Sequence, residues 1–383
     1  MPNRQPRSSI NEGERHVAHL TTVHHPLDPR ISQKQLPTLQ EAGLEATLIA
    51  AGRPSDMPSG FDVVSLPPVE TRLERLGLQK DAFQKARALN ADVYQVHDPE
   101  LLPLLFLLRR ATGAAVVYDM HEDYRSKGPV LGRALRALER WAFRWLDHVI
   151  LAEEGYQAIV ADEAVPSTCV LNYFKPVEEA EQTRAPAAPR SGEPTRLLYT
   201  GTVARNRGLH TMVDVAVEIQ RRSRPGMLRI VGACHRPGQW ADAEQKQQKE
   251  ALGTTLMMVG GDTYVPSSQM GTHYRWADVG LALFQPHPNH YKSVPTKFYE
   301  YLHYGLPIIC SDFPLWRAFI EEHECGAVVP PGDPEAVLDV LTRWQAEPAR
   351  YRAYADNARA AAYQYQWAQM EEPLLAVYRG LLS

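Results

Sequence analysis

The residue types best suited to chemistry fall in SVPTKFYEYLHYGLPIICSD, 293–312. This stretch reads as a loop with Ser293 and Val294, a helix opening near Pro295 and Thr296, a Gly305-Leu-Pro turn and a buried strand. Proline in a first helical turn with a hydroxyl beside it leaves backbone N–H groups free, and that end of a helix attracts phosphate. Lys297 sits in the same turn, where the macrodipole disfavours a cation, so an anionic ligand explains it better than structure does. Glu300 lies one turn on, on the same face, and could accept two hydrogen bonds from vicinal hydroxyls such as those of a ribose. The alternative is an exposed i, i+3 Lys–Glu pair.

A second stretch, YTGTVARNRGLHTMVD at 199–214, runs a strand into Gly201 and Thr202, a short polar loop, and a helix beginning around Gly208. Arg205 and Arg207 stand close to the helix start, which makes an anion site the simple inference. The glycine spacing is neither the GxGxxG fingerprint nor a P-loop. Placed at one sheet edge, the two loops suggest a diphosphate held between two helix starts. His97 and His121 each end a strand beside the acidic Asp98, Glu122 and Asp123, a setting suited to sugar hydroxyls and oxyanions, or to a satisfied structural histidine. His24, His25, Asp28 and Arg30 follow the first strand. No close histidine pair at helical spacing joins them, so no metal site is expected.

These residues need a scaffold, and β-branched runs alternating with helical stretches supply one: a parallel α/β sheet covered on both faces. Strands are read at 16–23, 45–51, 62–66, 92–97, 114–120, 147–152 and 167–172, then at 196–200, 228–232, 254–259, 278–283, 306–310 and 326–329. The Pro-, Ala- and Glu-rich segment 177–195 carries no periodic apolar face and reads as a linker. The fold class predicted is therefore α/β, two Rossmann-like doubly wound domains facing across a cleft, with residues 1–176 on one side and 196–360 on the other.

The composition excludes several functions. With 41 Lys and Arg against 45 Asp and Glu in 383 residues, a basic nucleic-acid footprint is absent, and no nucleic-acid partner is expected. Cysteines 169, 234, 310 and 325 are few and far apart, and read as buried thiols of a reducing compartment. The polar start MPNRQPRSSINEGERH is not an apolar signal segment, and LLPLLFLL at 101–108 is too short to span a bilayer, so a cytoplasmic location is expected. The segment 125–145 interleaves six basic residues with Trp141 and Trp145. It either rests on anionic lipid at the inner face of the plasma membrane or packs its tryptophans inward.

Taken together, the motifs resemble those of the GT-B glycosyltransferases, in particular the large retaining family 4, group 1. The Gly201–Gly208 turn resembles that family's G-R-x-x-x-x-K-G turn, with Arg207 in the lysine's place and Thr202 in the arginine's. SVPTKFYEYLHYGLPIICSD resembles its E-Y-M-A-x-G-x-P-V-V-A-S-D segment, and CGAVVPPGDPEAV at 325–337 its G-x-x-x-x-P-G-D-P-E-A segment. HLTTVHHPLDPRISQKQLPTLQEAGLEATLI, DVYQVHDPELLPLL and GAAVVYDMHEDY are similar to its N-terminal elements. The resemblance implies that Glu300 binds the ribose of a nucleotide-sugar, that Arg207 and Lys297 neutralise its diphosphate, that His121 lies beside the transferring sugar, and that His24, His25, Asp28, Arg30, His97, Glu122 and Asp123 face the acceptor. Gly201, Thr202, Arg205, Ser293, Val294 and Thr296 would line the donor, with backbone at Asp262–Val265, including Tyr264, meeting the base. Residues 361–383 would cross back to the first domain, with Tyr363, Trp367, Leu374 and Tyr378 on one face. Lys292 stands where many members place a second glutamate.

The implied reaction moves a sugar from a UDP- or GDP-sugar to a glycan or lipid-linked acceptor in building a bacterial surface or secreted glycan. It needs no cofactor and no metal, because arginines and helix starts meet the leaving charge. Retention follows from the resemblance alone; inversion would need a base among Asp28, Glu122 and Asp123. A sugar-nucleotide epimerase of the same fold and a non-catalytic scaffold remain as rivals.

Overall fold

The computed structural model describes residues 15–52, 57–69, 71–121, 128, 130–176 and 193–383. Contacts divide the chain into two units, Met1–Lys175 with Trp367–Ser383, and Pro176–Gln366.

The first unit is built on seven parallel strands: β1 (His16–Thr21), β2 (Glu45–Ala51), β3 (Asp62–Leu66), β4 (Val93–Val96), β5 (Ala115–Met120), β6 (His148–Leu151) and β7 (Ser167–Cys169). Their order is β3-β2-β1-β4-β5-β6-β7. In the second unit six parallel strands, β8 (Thr195–Thr200), β9 (Gly226–Ala233), β10 (Leu256–Gly261), β11 (Val279–Ala282), β12 (Ile308–Ser311) and β13 (Gly326–Val329), run in the order β10-β9-β8-β11-β12-β13. Both orders reverse beside their first strand, between β1 and β4 and between β8 and β11. That reversal opens a crevice at the carboxyl ends of an α/β sheet.

Every strand read from the sequence forms, and the differences lie at the ends. The first stops at Thr21 rather than 23, because the N–H groups of Thr22 and Val23 leave the ladder for the Asp98 carboxylate, at 2.5 and 3.1 Å. Thr195 already pairs within β8, one residue inside the expected linker, whose stretch 177–192 lies outside the described residues.

One apolar cluster of the first unit gathers Leu20, Tyr94, Val96, Tyr118 and Met120 beneath Leu102–Thr112 and Leu131–Ala142. The other gathers Val17, Val93 and Val117 with Leu374 and Tyr378 of the C-terminal helix Ala368–Leu382. The chain returns to this unit at Trp367, whose N–H bonds the Phe174 carbonyl at 2.7 Å and whose indole N–H bonds Thr38 Oγ1 at 2.8 Å. Tyr363, expected on the same buried face, is instead 71% exposed in the second unit, since the turn Tyr363–Tyr365 precedes the return.

Arg125 and Lys127 lie outside the described residues, while Leu131–Ala142 is helical. The two tryptophans of the segment differ in burial. Both meet Phe106 at 5.2 Å, but Trp145, edge-on to it, is half-buried, whereas Trp141, 5.0 Å from Trp145, stays 38% exposed. No described helix is long and apolar enough to cross a membrane. Cys234, Cys310 and Cys325 are buried free thiols, and Cys169 is half-buried.

Candidate active site

In the first unit β1, β4 and β5 are neighbours, and side-chain alternation turns His19, Gln95 and Asp119 to the face of the C-terminal helix. Next to them, at the strand ends, lie His97 and His121. Asp119, wholly buried, is the centre. Arg30 meets both its oxygens, Nε at 2.9 Å and an Nη at 2.7 Å, and Gln35 Nε2 donates at 2.8 Å. Both donors come from Pro29–Gln35, a π-helical stretch capped by Asp28. Its i→i+5 winding lets two residues five apart reach one carboxylate. Burial would raise the Asp119 pKa, but Arg30, with His121 and His97, holds it well below the usual carboxylate range.

His121 Nε2 lies 2.9 Å from Asp119 Oδ2 and 3.0 Å from His97 Nδ1. Burial pushes the His121 pKa down to about 4 against the opposing pull of Asp119. The His24 ring lies against His121 at 4.4 Å, tilted by 40°, and pairs with Asp28 at 3.7 Å and Asp98 at 3.5 Å. His24 also draws the Asp28 carboxyl below its ordinary range, against burial. The structure corrects two expectations. Arg30 and His97, expected to face an acceptor, are 2% and 0% exposed, because the Asp119 charge needs a buried partner and the strand face is covered. They act behind the surface. His25 is exposed, its Nδ1 accepting the Leu27 N–H at 3.1 Å, and Glu122 and Asp123 lie outside the described residues.

His97, Asp119 and His121 also place three possible metal-ligand atoms within 4.8 Å of one another, a cluster that helical spacing did not show. Asp119 Oδ2 is already met by Arg30 and Gln35, so a cation there would have to displace a guanidinium. Sequence reasoning missed Asp119, His19, Gln95, Gln35 and Tyr378. The signal was available: a His, a Gln and an Asp inside otherwise apolar strands each demand a partner. Glu153, just past β6, was also missed; burial raises its pKa to about 8.

In the second unit the two expected loops converge. Gly201, at φ 98°, follows β8, and Arg205–Arg207 forms a short turn before the helix Leu209–Arg221. Gly208, at φ 89°, could carry no side chain: a Cβ would stand 2.0 Å from the Leu283 carbonyl oxygen. From the other side comes the helix Thr296–His303, with Pro295 at its start. No side chain caps either helix, although backbone carbonyls already take the Leu209 N–H (Ala204, 3.2 Å) and the Phe298 N–H (Pro295, 2.9 Å). Lys297 is 4% exposed, not half of an exposed pair, and its Nζ lies 4.8 and 4.6 Å from the ring centres of Tyr199 and Phe284. It also stands 3.9 Å from where a Cβ on Gly201 would be. The Arg207 guanidinium shares the Phe284 ring, at 5.6 Å. Burial and then Arg207 push the Lys297 pKa down to about 7, against Glu300. No described carboxylate forms an ion pair with Lys297 or Arg207.

Glu300 accepts the Tyr274 hydroxyl and remains partly exposed. Arg205 is mainly exposed, loosely paired with Asp242 at 4.0 Å. The Thr202 carbonyl accepts the Tyr199 hydroxyl at 2.6 Å, and the Ser293 carbonyl accepts the Trp316 indole N–H at 2.8 Å. Val294 and Thr296 lead half-buried into the helix, and half-buried Tyr264 and Val265 follow β10. Lys292 is exposed.

Both units match known families. Residues 30–171 match the model described as a glycosyl transferase 4-like domain, and residues 181–361 the one described as glycosyl transferases group 1. A phosphatidyl-myo-inositol mannosyltransferase of Mycobacterium leprae is 22% identical over 91% of this chain and 87% of its own. The alpha-D-kanosaminyltransferase of Streptomyces kanamyceticus is 23% identical over 72% and 73%. Among solved structures, the sucrose-phosphate synthase of Thermosynechococcus elongatus superposes with TM-score 0.74 at 18% identity, covering 96% of this chain and 99% of that one. HepE of Anabaena, solved with UDP and glucose, superposes with TM-score 0.69 at 13% identity, covering 95% and 99%.

Proposed function

The chain belongs to the group 1 glycosyltransferases of the GT-B fold, and we propose that it moves a sugar from a UDP- or GDP-sugar to an acceptor hydroxyl with retention. The observation that carries this reading is the pair Lys297 and Arg207, two cations at one aromatic ring between two uncapped helix starts. A diphosphate supplies the negative charge they lack. As the bond from the anomeric carbon to the phosphate oxygen breaks, charge grows on that oxygen where the cations already stand. The acceptor oxygen bonds the same carbon, and its proton passes to the leaving phosphate. No metal or cofactor is required for this.

Glu300 is assigned to the ribose, the backbone of Tyr264 and Val265 to the base, and Gly201, Thr202, Ser293, Val294 and Thr296 to the donor's surroundings, with Arg205 at its rim. His121 is assigned to the sugar by the family resemblance. The likeness to HepE, solved with UDP, supports a uridine donor. The likeness to a mannosyltransferase of a phosphatidylinositol supports a lipid-linked acceptor and a role in bacterial surface or secreted glycan. Exposed Arg133, Arg140 and Trp141 on Leu131–Ala142 support a cytoplasmic protein that touches anionic lipid at the inner membrane face.

Calorimetric titration with UDP and GDP, followed by product analysis with the matching sugars, tests the reading. Expected are a measurable affinity for one diphosphate, weakened about tenfold or more in both Glu300→Ala and Arg207→Ala, and transfer products with free nucleotide. Wild-type affinity in both variants, or an isomerised donor, would sink it.

A further inference from the structure

Tyr378 of the C-terminal helix and six polar side chains beneath it form one chain of hydrogen bonds whose direction is set at a single end. The Asp119 carboxylate, charge-paired with Arg30, can only accept. Gln35 Nε2 donates to it, so Gln35 Oε1 is left to accept, and it does so from Gln95 Nε2 at 2.8 Å. Gln95 Oε1 in turn accepts the Tyr378 hydroxyl at 2.5 Å. With its proton committed, the Tyr378 oxygen can only accept from His19 Nε2, at 3.0 Å. His19 Nδ1 is then bare and accepts from His97 Nε2 at 3.1 Å. His97 Nδ1, bare in its turn, accepts from His121 Nε2 at 3.0 Å; Asp119 Oδ2 lies 3.1 Å from that Nδ1 and 2.9 Å from that Nε2, so the single His121 proton serves both acceptors. The circuit closes on the carboxylate where it began.

Reversing the last link would require protons on both His97 nitrogens. That adds a second full positive charge beside the Arg30 guanidinium, in a site closed to water, where Asp119 is already neutralised. One tautomer therefore remains for each ring. No described residue hydrogen-bonds His121 Nδ1.

We propose that Tyr378, Gln95 and Gln35 are positioning residues that hold His121 as its Nε2–H tautomer, so that Nδ1 offers a bare lone pair to a hydroxyl of the transferring sugar. The inference rests on the reading of His121 as the residue that serves the sugar. Since burial keeps this ring a weak base, Nδ1 orients the hydroxyl by accepting its hydrogen bond and does not remove the proton at neutral pH.

Long-range proton–nitrogen correlation spectra of the full chain, carrying nitrogen-15 in its histidines, separate bare from protonated ring nitrogens. Signals are assigned by replacing His19, His97 and His121 one at a time. Expected at pH 7.5 are a bare Nδ1 and a protonated Nε2 on all three rings; a protonated Nδ1 on any of them would overturn the circuit. Tyr378→Phe removes one oxygen and keeps the ring. In that variant the His121 Nδ1 signal shifts toward its protonated position and kcat falls about tenfold, while KM for the nucleotide-sugar and UDP affinity hold. An unchanged spectrum and kcat would contradict the proposal, and the wild-type spectrum still decides if the variant fails to fold. The expected spectrum in a protein that transfers no sugar would support the circuit and overturn the sugar reading instead.

Discussion

The two units present opposite solutions to buried charge. Around Asp119 every demand is met inside the protein: a guanidinium, an amide and the His121 imidazole converge on one carboxylate. Around Phe284 two cations share a ring, and no described carboxylate pairs with either. A self-satisfied cluster is rigid and serves to aim what stands at its edge. An unsatisfied one holds a charge that a bound anion would relieve, and the pKa values of the two sites record the difference: Lys297 is driven down to about 7 while Asp119 is kept ionised. The first kind of site spends folding stability on geometry, and the second keeps its interaction energy for binding.

The contrast breaks most visibly through stability. Arg30→Met strands the Asp119 charge and should lower unfolding free energy by about 3–5 kcal/mol in urea titrations. Arg207→Met, removing a cation with no acidic partner, should leave it within about 0.5 kcal/mol. Equal losses in the two variants would erase the distinction. A middle-sized effect belongs to Lys297→Met. UDP affinity should drop about tenfold to a hundredfold by calorimetry, the worth of a charge-assisted bond, while the melting temperature holds or rises as a buried charge is relieved.

The subtlest effect is a proton count. Lys297 titrates near 7 when folded and empty, and near the ordinary 10.4 when unfolded. Between those values the unfolded chain binds more protons, so this group makes the empty protein more stable as pH rises from about 7 toward 10. A bound diphosphate restores the charged form. Binding at pH 8 should therefore take up part of a proton, visible as buffer-dependent calorimetric enthalpies, and affinity should weaken as pH climbs. Enthalpies that ignore the buffer would detach Lys297 from the anion.

Much of the fold was legible because parallel strands buried on both faces read as continuous apolar runs, and all of them form. The donor-side loops were legible for a related reason: glycine, proline and lysine at helix starts carry local meaning that survives without tertiary context. The Asp119 network was not, since its members lie far apart in sequence and meet only through strand order and through a π-helical stretch that no 3.6-residue periodicity announces. Arg30 looked like an exposed loop cation for that reason. Tyr378 looked like core, and it is core, yet its hydroxyl reaches Gln95 and His19.

The C-terminal helix completes the hydrophobic packing and the polar circuit of the first unit although the whole second unit precedes it in the chain. A chimera that exchanges the first unit with that of a relative should therefore carry over two pieces of gene, the opening half and the closing seventeen codons, as one inheritance. A graft of the opening half alone would seat a foreign tyrosine, or none, against the borrowed histidines.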